Sequence, residues 1–282
     1  MRKRYPSDLT DAQWEALQPL IPPAKPGGRP RAVDMREVLN TLFYKSRSGC
    51  QWDMLPHDLL PKSTVRDYFD AWQEDGTWQQ FLDALRPQVR KAQGRQHDTP
   101  GTAYIDSQSV KATEMGGERG YDGGKKVSGR KRHIVVDSLG LLLAVAVTSA
   151  ALDDGSHAWR VLRKLSAADY PRLKLLWADH KYRNHQLDRW LEQQRVGYAI
   201  EVVSRPLGAK GFVLLHRRWA VERSLAWMGR YRRLSKDDEY ETSSSEARIQ
   251  ISAIQLMLRR LRPNENAQGP PFKCPKKTTK AA

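Results

Sequence analysis

Cysteine and long apolar runs are scarce in this sequence. Only Cys50 and Cys274 are cysteines among its 282 residues, which argues against a disulfide framework and a cysteine-based zinc site. The longest apolar stretch, residues 139–152, contains a threonine and a serine, and a membrane-spanning helix needs roughly 20 apolar residues. No apolar signal segment follows the basic residues 2–4. We therefore expect a soluble, cytoplasmic chain from a reducing compartment, with no membrane partner.

Acidic residues are also in deficit. The chain has 48 Lys and Arg against 32 Asp and Glu, which gives a net charge of +16. An excess this large favours a polyanionic partner, and nucleic acid is the commonest one. A basic but otherwise ordinary soluble surface is the alternative interpretation. Hydrophobic residues make up 39% of the chain and include nine tryptophans, so a substantial core is expected.

The first 92 residues have the pattern of a small all-helical unit. Apolar residues recur there at helical spacing, and capping residues stand at the expected positions. The four predicted helices begin near Asp11, Asp34, Ser63 and Thr77, and the second is expected to stop at Gly49. We interpret residues 1–92 as a helical domain of the helix-turn-helix kind.

The pattern changes to that of an α/β domain over residues 93–262. A hairpin is predicted first, and strands then alternate with helices, which indicates a mixed sheet flanked by helices. The predicted strands are 103–106, two strands joined at 138–140, 173–179 and 196–203. The predicted helices are 155–166, 185–194, 214–234 and 245–261. The tail, residues 263–282, is expected to be disordered.

Two of the predicted strands finish on an aspartate, Asp106 and Asp179. Ligands bind at the carboxyl ends of parallel strands in α/β sheets. Two neighbouring carboxylates repel each other unless a cation lies between them. A third acid, Glu222, is expected half-buried at the edge of the apolar face of its helix. A simple ion pair with Arg218, one turn earlier, is the alternative role for Glu222.

Other acids are interpreted as structural. Asp137 ends "HIVVD" in the hairpin turn, and an antiparallel hairpin is expected to place it about 20 Å from Asp106. Asp153 and Asp154 stand before a predicted helix, where acids serve as caps and as partners of the helix dipole.

Seven segments of the chain resemble, in the same order, those of bacterial insertion-sequence transposases of the DDE type, in the group named after insertion sequence five. They cover most of residues 5–240 and read "YPSDLTDAQWEALQPLIPP", "GGRPRAVDMREVLN", "SGCQWDMLPHDLLPKSTVRDYF", "IDSQSVKA", "KKVSGRKRHIVVDSLGLLLAVAV", "LLWADHKYR" and "RRWAVERSLAWMGRYRRLSKDDEY". The resemblance implies a ribonuclease-H-like fold, in which the first and fourth strands are parallel neighbours.

The resemblance also implies the catalytic acids. It assigns this role to Asp106, Asp179 and Glu222, which would together hold two Mg²⁺ ions for phosphoryl transfer. Oxygen-only ligands suit Mg²⁺, and Mn²⁺ is expected to substitute. There is no Gly-x-Ser-x-Gly elbow of a serine hydrolase and no Walker A loop of an ATPase.

Some accessory residues of the family's signature are absent from this chain. The family's arginine before the glutamate matches Arg218, but its tyrosine and lysine fall on Leu215 and Gly229. Arg233 or Lys236 is expected to supply the phosphate contact of the missing lysine.

Basic residues in three segments are expected to contact DNA. Residues 124–133 would grip the backbone near the metal site, a flexible solvated loop being the alternative. The residues off the apolar stripe of a predicted recognition helix are Lys62, Thr64, Arg66 and Asp67, a plain helical bundle being the alternative. The segment "GGRPR", residues 27–31, resembles a minor-groove hook, a plain linker being the alternative. The expected DNA contacts are Arg29, Arg31, Lys62, Thr64, Arg66, Lys111, Lys125, Lys126, Arg130, Lys131, Arg132, Arg218, Arg233 and Lys236.

Three functions are compatible with these features. The first is a transposase that cuts and joins double-stranded DNA at the inverted-repeat ends of its element and at a target. The second is a ribonuclease-H-like nuclease or junction resolvase that only hydrolyses. The third is a helix-turn-helix DNA binder without catalysis. The helical amino-terminal unit favours the transposase. Because two ends must be brought together, we expect a homodimer, associated with the bacterial nucleoid.

Overall fold

The fold was obtained as a computed structural model, which describes residues 2–24, 26–27, 30–114, 116–203 and 216–264. Arg29, Leu215 and residues 265–282 of the predicted tail lie outside the described residues, as does the side chain of Arg218. In the part of the chain that is described, no helix has the length and the apolar character that crossing a membrane requires.

Four helices form the amino-terminal region, as predicted. They are α1 (Asp11–Leu17), α2 (Met35–Ser48), α3 (Lys62–Glu74) and α4 (Thr77–Ala92). Thr10 caps α1 through a reciprocal capping box with Gln13. Gly49 ends α2 in the left-handed conformation with φ of 74°, which a glycine adopts without steric cost. Side-chain caps therefore mark the starts of α1 and α2, whereas α3 and α4 begin without a side-chain cap.

Six strands form one mixed sheet. They are β1 (Thr102–Lys111), β2 (Gly120–Asp122), β3 (Val127–Asp137), β4 (Leu142–Ser149), β5 (Leu175–Ala178) and β6 (Ala199–Val202). The strand order is β2-β3-β1-β5-β6, and β4 also pairs with β3. β3 is antiparallel to β1 and β4, whereas β5 is parallel to β1 and β6. This topology agrees with the predicted ribonuclease-H-like sheet, with the short β2 added.

The first strand is longer than predicted. It does not finish on Asp106 but continues through the polar residues 107–109 to Lys111, over ten residues in all. Those polar residues pair with β3, as in the register of Ser107 with His133, so tertiary partners satisfy them. The Gly-rich segment at residues 116–124 contains β2, which pairs with β3.

Four helices accompany the sheet: α5 (Trp159–Leu162), α6 (His185–Gln194), α7 (His216–Met228) and α8 (Thr242–Leu261). The prediction of a helix over 155–166 was wrong, since only four residues are helical and hydrogen-bonded turns precede them. The prediction that one helix continues to Leu234 was also wrong. α7 ends at Met228, and a turn at residues 229–230 directs Tyr231 into the core.

The sheet separates two hydrophobic cores. Side chains alternate along β1, so Tyr104 and Asp106 point to one face, which we call the front face, and Ala103 and Ile105 point to the rear face. The front core lies between the sheet, α7 and α8, and Tyr104 packs against it. The rear core lies between the sheet, α5 and α6 and includes Ile105.

The front core extends without interruption into the amino-terminal helices. Buried side chains of α2, α3, α4, β3 and α8 belong to one cluster, among them Leu42, Phe69, Leu82, Ile134 and Ile254. The boundary after residue 92 coincides with the end of α4, but the buried side chains of the amino-terminal helices belong to the front core that they share with the sheet and α8. The division into domains 1–92 and 93–262 stays a prediction.

Candidate active site

The two predicted aspartates lie at the same level of neighbouring parallel strands. The register pairs Ala103 with Leu176 and Tyr104 with Trp177. Asp106 lies two residues after Tyr104, and Asp179 lies two residues after Trp177. Asp179 still has an extended backbone, with φ of −86° and ψ of 177°, so the strand alternation carries its side chain to the front face with that of Asp106. Neighbouring strands lie about 4.8 Å apart.

Backbone amides orient both carboxylates. The Ser107 amide donates to Asp106 Oδ1 at 2.7 Å. Asp179 caps the 3₁₀ turn His180–Tyr182, where its Oδ1 accepts from the Lys181 amide at 3.0 Å. Such bonds fix the direction in which a carboxylate points. The turn after β5 therefore holds the Asp179 carboxylate in a defined orientation.

Glu222 lies on α7, which packs over the front face against β1, β3 and β5. Val221 and Met228 of this helix are buried in the front core. Glu222 itself is exposed, as is Trp219. The expectation of a half-buried carboxylate was therefore wrong, because the buried side of α7 carries Val221 and Ser224 instead. The three acids nevertheless share one side of the sheet.

The three acids do not form a closed metal site in this structure. Among the residues described, no group of three or more His, Cys, Asp or Glu side chains is arranged to hold a metal ion. What the fold provides is a pair of level aspartates and a glutamate on the helix above the same face. These carboxylate oxygens are the donors that hard divalent cations such as Mg²⁺ prefer, so the donor set fits the implied ions.

Asp137 has the structural role predicted for it. It pairs in register with Ala103, three residues before Asp106 on β1. The expected separation of about 20 Å from Asp106 was therefore wrong, since three residues of strand span only about 10 Å. The Asp137 side chain is fully buried. It accepts hydrogen bonds from the Arg90 guanidinium and from the amides of Leu139 and Leu141. These bonds join α4 to the β3–β4 hairpin.

Asp154 is structural, as expected, but its partners are two lysines and not a helix end. It is buried on the rear side, 2.9 Å from Lys131 Nζ and 3.0 Å from Lys181 Nζ. Burial acts to raise the pKa of Asp154, but hydrogen bonds from Ser107, Lys131 and Lys181 outweigh it and hold that pKa below its ordinary value. It is thus an ion-pair centre and not a helix cap. Asp153, by contrast, accepts from the amides of Gly155 and Ser156.

Three predicted DNA contacts are buried inside the protein. Arg130, Lys131 and Arg132 expose 1%, 4% and 4% of their surface. Arg130 bonds to Asp237 Oδ1 at 3.0 Å and to the Tyr240 carbonyl at 2.5 Å, and Arg132 donates to the Leu234 carbonyl at 2.7 Å. These predictions were wrong because the segment 231–245 and Asp154 cover β3 and take up its charges.

Arg233 also forms side-chain ion pairs within the protein. Its side chain is mostly buried and lies 2.7 Å from Glu239 and 3.7 Å from Asp238. Lys236 is exposed. Of the two candidates for the missing signature lysine, only Lys236 therefore has an accessible charge.

The remaining predicted contacts are accessible to differing degrees. Thr64 is half-buried, and those exposed are Arg31, Lys62, Arg66, Lys111, Lys125, Lys126 and Lys236. On α3, Lys62 pairs with Asp53, and Arg66 lies 3.5 Å from Asp70. Exposed ion pairs of this kind contribute only about 0–1 kcal/mol, so a phosphate can displace the acid.

Two family models match this chain. A family model described as "Transposase DDE domain" matches residues 98–258, more than half of the chain. Another, described as "Putative transposase of IS4/5 family", matches residues 9–82. The "Insertion element IS402 uncharacterized 16.2 kDa protein" of Burkholderia cepacia is 29% identical over 120 residues, 40% of this chain and 78% of that protein. The "Uncharacterized protein y4sN" of Sinorhizobium fredii is 31% identical over 77 residues, 27% of this chain and 62% of that protein.

Proposed function

Because the chain belongs to the family of transposases with a DDE domain, we propose that it cleaves and joins DNA strands at the inverted-repeat ends of an insertion sequence by two-metal phosphoryl transfer. The observation that carries this proposal is the common register of Asp106 and Asp179 on neighbouring parallel strands. A DNA-binding protein without catalysis has no need for two aligned carboxylates at this edge. The match of residues 9–82 to an insertion-sequence transposase family supports the same function.

The proposed metal ligands are Asp106, Asp179 and Glu222. When bound, two Mg²⁺ or Mn²⁺ ions would supply Lewis-acid stabilisation of the phosphate charge and a lowered pKa for the attacking water or 3′-hydroxyl. The chain's own residues orient the ligands: the amides of Ser107 and Lys181 hold one oxygen of each aspartate. Glu222 would reach the ions from α7, which packs on the same face of the sheet against β1 and β5.

We propose that exposed cations bind the DNA backbone. Lys125 supports this role, since its Nζ donates to the Ser107 carbonyl at 3.3 Å, one residue from Asp106. Lys126, Lys111 and Lys236 are exposed as well. The net charge of +16 favours attraction of DNA as a whole. Sequence reading is assigned to the amino-terminal helices, through Lys62 and Arg66, and to Arg31.

We further propose that two copies of the chain act together, since two element ends must be joined. A homodimer associated with the nucleoid in the bacterial cytoplasm fits this requirement. The ribonuclease-H-like nuclease remains a distinguishable alternative, because it would release nicked DNA without joining it to a new site.

The central test uses a supercoiled plasmid that carries this chain's coding segment with its flanking DNA. Wild-type protein is expected to nick it only with Mg²⁺ or Mn²⁺. Asp106→Asn and Asp179→Asn should reduce nicking by roughly 10³-fold or more, since metal stabilisation of the transition state amounts to several kcal/mol. DNA binding should be kept. Asp98→Asn, an exposed acid outside the site, should behave as wild type. Metal-dependent nicking by Asp106→Asn at the wild-type rate would refute the assignment.

A further inference from the structure

A buried ionic cluster lies on the rear face, directly behind the proposed metal ligands. Ser107 follows Asp106 on β1 and points to the opposite face. On that rear face Asp154 binds two lysines, Lys131 of β3 at 2.9 Å and Lys181 at 3.0 Å. Asp154 exposes 3% of its surface and Lys131 4%. One carboxylate thus joins β3 to the turn that follows β5.

The link from this cluster to Asp179 is short. Lys181 donates its side chain to Asp154 Oδ2 and its backbone amide to Asp179 Oδ1, each at 3.0 Å. The position of the Lys181 side chain therefore restrains the amide that orients the aspartate. Groups that hold a metal ligand in this way typically affect metal affinity or activity by about 10–100-fold.

A steric observation independently connects the same two segments. At Gly155, which follows Asp154, a Cβ atom would lie 2.3 Å from the Lys181 carbonyl oxygen and 3.1 Å from Asn184 Cβ. Any side chain at position 155 would push the 181–184 segment away. Close backbone approach and the ion pair thus act at one place, the turn that carries Asp179.

The ionic cluster constrains the structure around it. A buried carboxylate shared by two ammonium groups is costly to desolvate, and removal of one partner leaves an uncompensated buried charge. Lys131 also donates to the Leu152 carbonyl at 2.6 Å, which anchors the 152–155 turn on β3. The ionic contacts therefore specify how the two turns and β3 are arranged.

We propose that Asp154 and Gly155 form a positioning clamp that holds the Asp179 turn against β1 and β3, so that Asp179 and Asp106 stay level for metal binding. This inference rests on the proposed function of the two aspartates as metal ligands. Asp154 is a positioning residue, since it acts through Lys181 and lies on the other face of the sheet. It would touch neither the metal ions nor DNA.

The test measures metal binding directly, by calorimetric titration of the full-length protein with Mn²⁺, alongside plasmid nicking. Asp154→Asn should weaken Mn²⁺ binding by about 10-fold or more and raise the Mn²⁺ concentration for half-maximal nicking to match. Asp153→Asn removes the same charge one residue away and keeps the oxygen that accepts from Gly155 and Ser156. It should bind Mn²⁺ as wild type does.

Two more variants test the same contact in case Asp154→Asn does not fold. Lys181→Met, at a partly exposed side chain, and Gly155→Ala should weaken Mn²⁺ binding in the same direction. The double variant Asp154→Asn/Lys181→Met should be no weaker than Asp154→Asn alone, because both act through one contact. If folded Asp154→Asn and Lys181→Met bind Mn²⁺ with wild-type affinity while Asp106→Asn abolishes binding, the clamp proposal is refuted. If Asp106→Asn also binds Mn²⁺ normally, the proposed function itself fails.

Discussion

Lys45 shows at the scale of one residue how burial controls charge in this protein. Its side chain is fully buried, its Nζ donates to the Cys50 carbonyl at 2.6 Å, and it lies 4.5 Å from the centre of the Trp52 ring. Burial, followed by repulsion from Arg248 and Arg233, lowers the pKa of Lys45 from 10.5 to about 7. This lysine therefore loses its proton at a lower pH in the folded protein than in the unfolded chain.

A pH dependence of stability follows from Lys45. Between pH 7 and 10 the unfolded chain binds a proton at this lysine that the folded chain does not, so the free energy of unfolding rises with pH. The contribution is at most about 1.4 kcal/mol per pH unit. Lys45→Met should remove this pH dependence. The difference in the free energy of unfolding between the variant and the wild type should therefore change between pH 7 and 9, as measured by urea titrations. Parallel stability curves would contradict the lowered pKa.

Arg130 illustrates the opposite case, a buried charge with full internal partners. It bonds to Asp237, Ser245 and the carbonyl groups of Glu118 and Tyr240. Arg130→Met should lower the free energy of unfolding by about 3–5 kcal/mol, because Asp237 loses its nearest buried counter-charge and keeps only the more distant Arg132, 3.8 Å away. Thermal and urea unfolding measure this change. Lys126→Met, at an exposed cation of the same segment, should change stability by less than about 0.5 kcal/mol.

At the scale of elements, the turn between β2 and β3 is the accessible part of the basic segment 124–133. Lys125 and Lys126 are exposed there, whereas positions 130–132 are buried along β3. The contrast arises because the segment 231–245 contacts Arg130 and Arg132 and Asp154 pairs with Lys131, whereas Lys125 and Lys126 lie in the turn before β3. DNA contact by this segment therefore belongs to its turn.

The salt dependence of DNA binding tests that assignment. Lys125→Gln/Lys126→Gln should reduce the slope of log affinity against log salt by about 1.8, since each phosphate contact contributes about 0.9. Fluorescence anisotropy with duplex DNA over a salt series gives the slope. Asp98→Asn serves as a surface control, and a double variant with the wild-type slope would exclude this turn from the interface.

At the scale of the whole molecule, the amino-terminal helices and the sheet depend on each other. α8 packs against α1, α2, α3 and α4 as well as β4, and these elements share the front core. Burial of a large apolar side chain contributes roughly 1.5–3 kcal/mol, and a domain's total stability is about 5–15 kcal/mol. Loss of a few such partners is enough to unfold either part.

Separation of the two regions should therefore abolish folding. A fragment of residues 93–264 is expected to lack a cooperative thermal transition by circular dichroism, because α8 and β4 lose the helices that cover them. Addition of the fragment 1–92 should restore the transition. Cooperative unfolding of fragment 93–264 by itself would instead establish two independent domains.

The sequence by itself determined most elements, since their signals are local. Thr10, Asp34 and Gly49 mark helix ends through their own capping bonds. Apolar periodicity predicted α4, and the Ser138–Gly140 turn predicted the hairpin of β3 and β4. The resemblance of ordered segments to DDE transposases indicated the family, and the family model that matches residues 98–258 confirms it.

Only the tertiary structure decided which charged residues are buried and which strands extend beyond their apolar part. β1 continues past Asp106 because β3 pairs with its polar half. Arg130, Lys131 and Arg132 have the composition of a DNA-binding stretch, yet Asp237 and Asp154, distant in sequence, neutralise that stretch. The junction of Asp154 with Lys181 has no local signal either. Burial and ion pairing depend on contacts between segments far apart in the chain, which no local period or cap encodes.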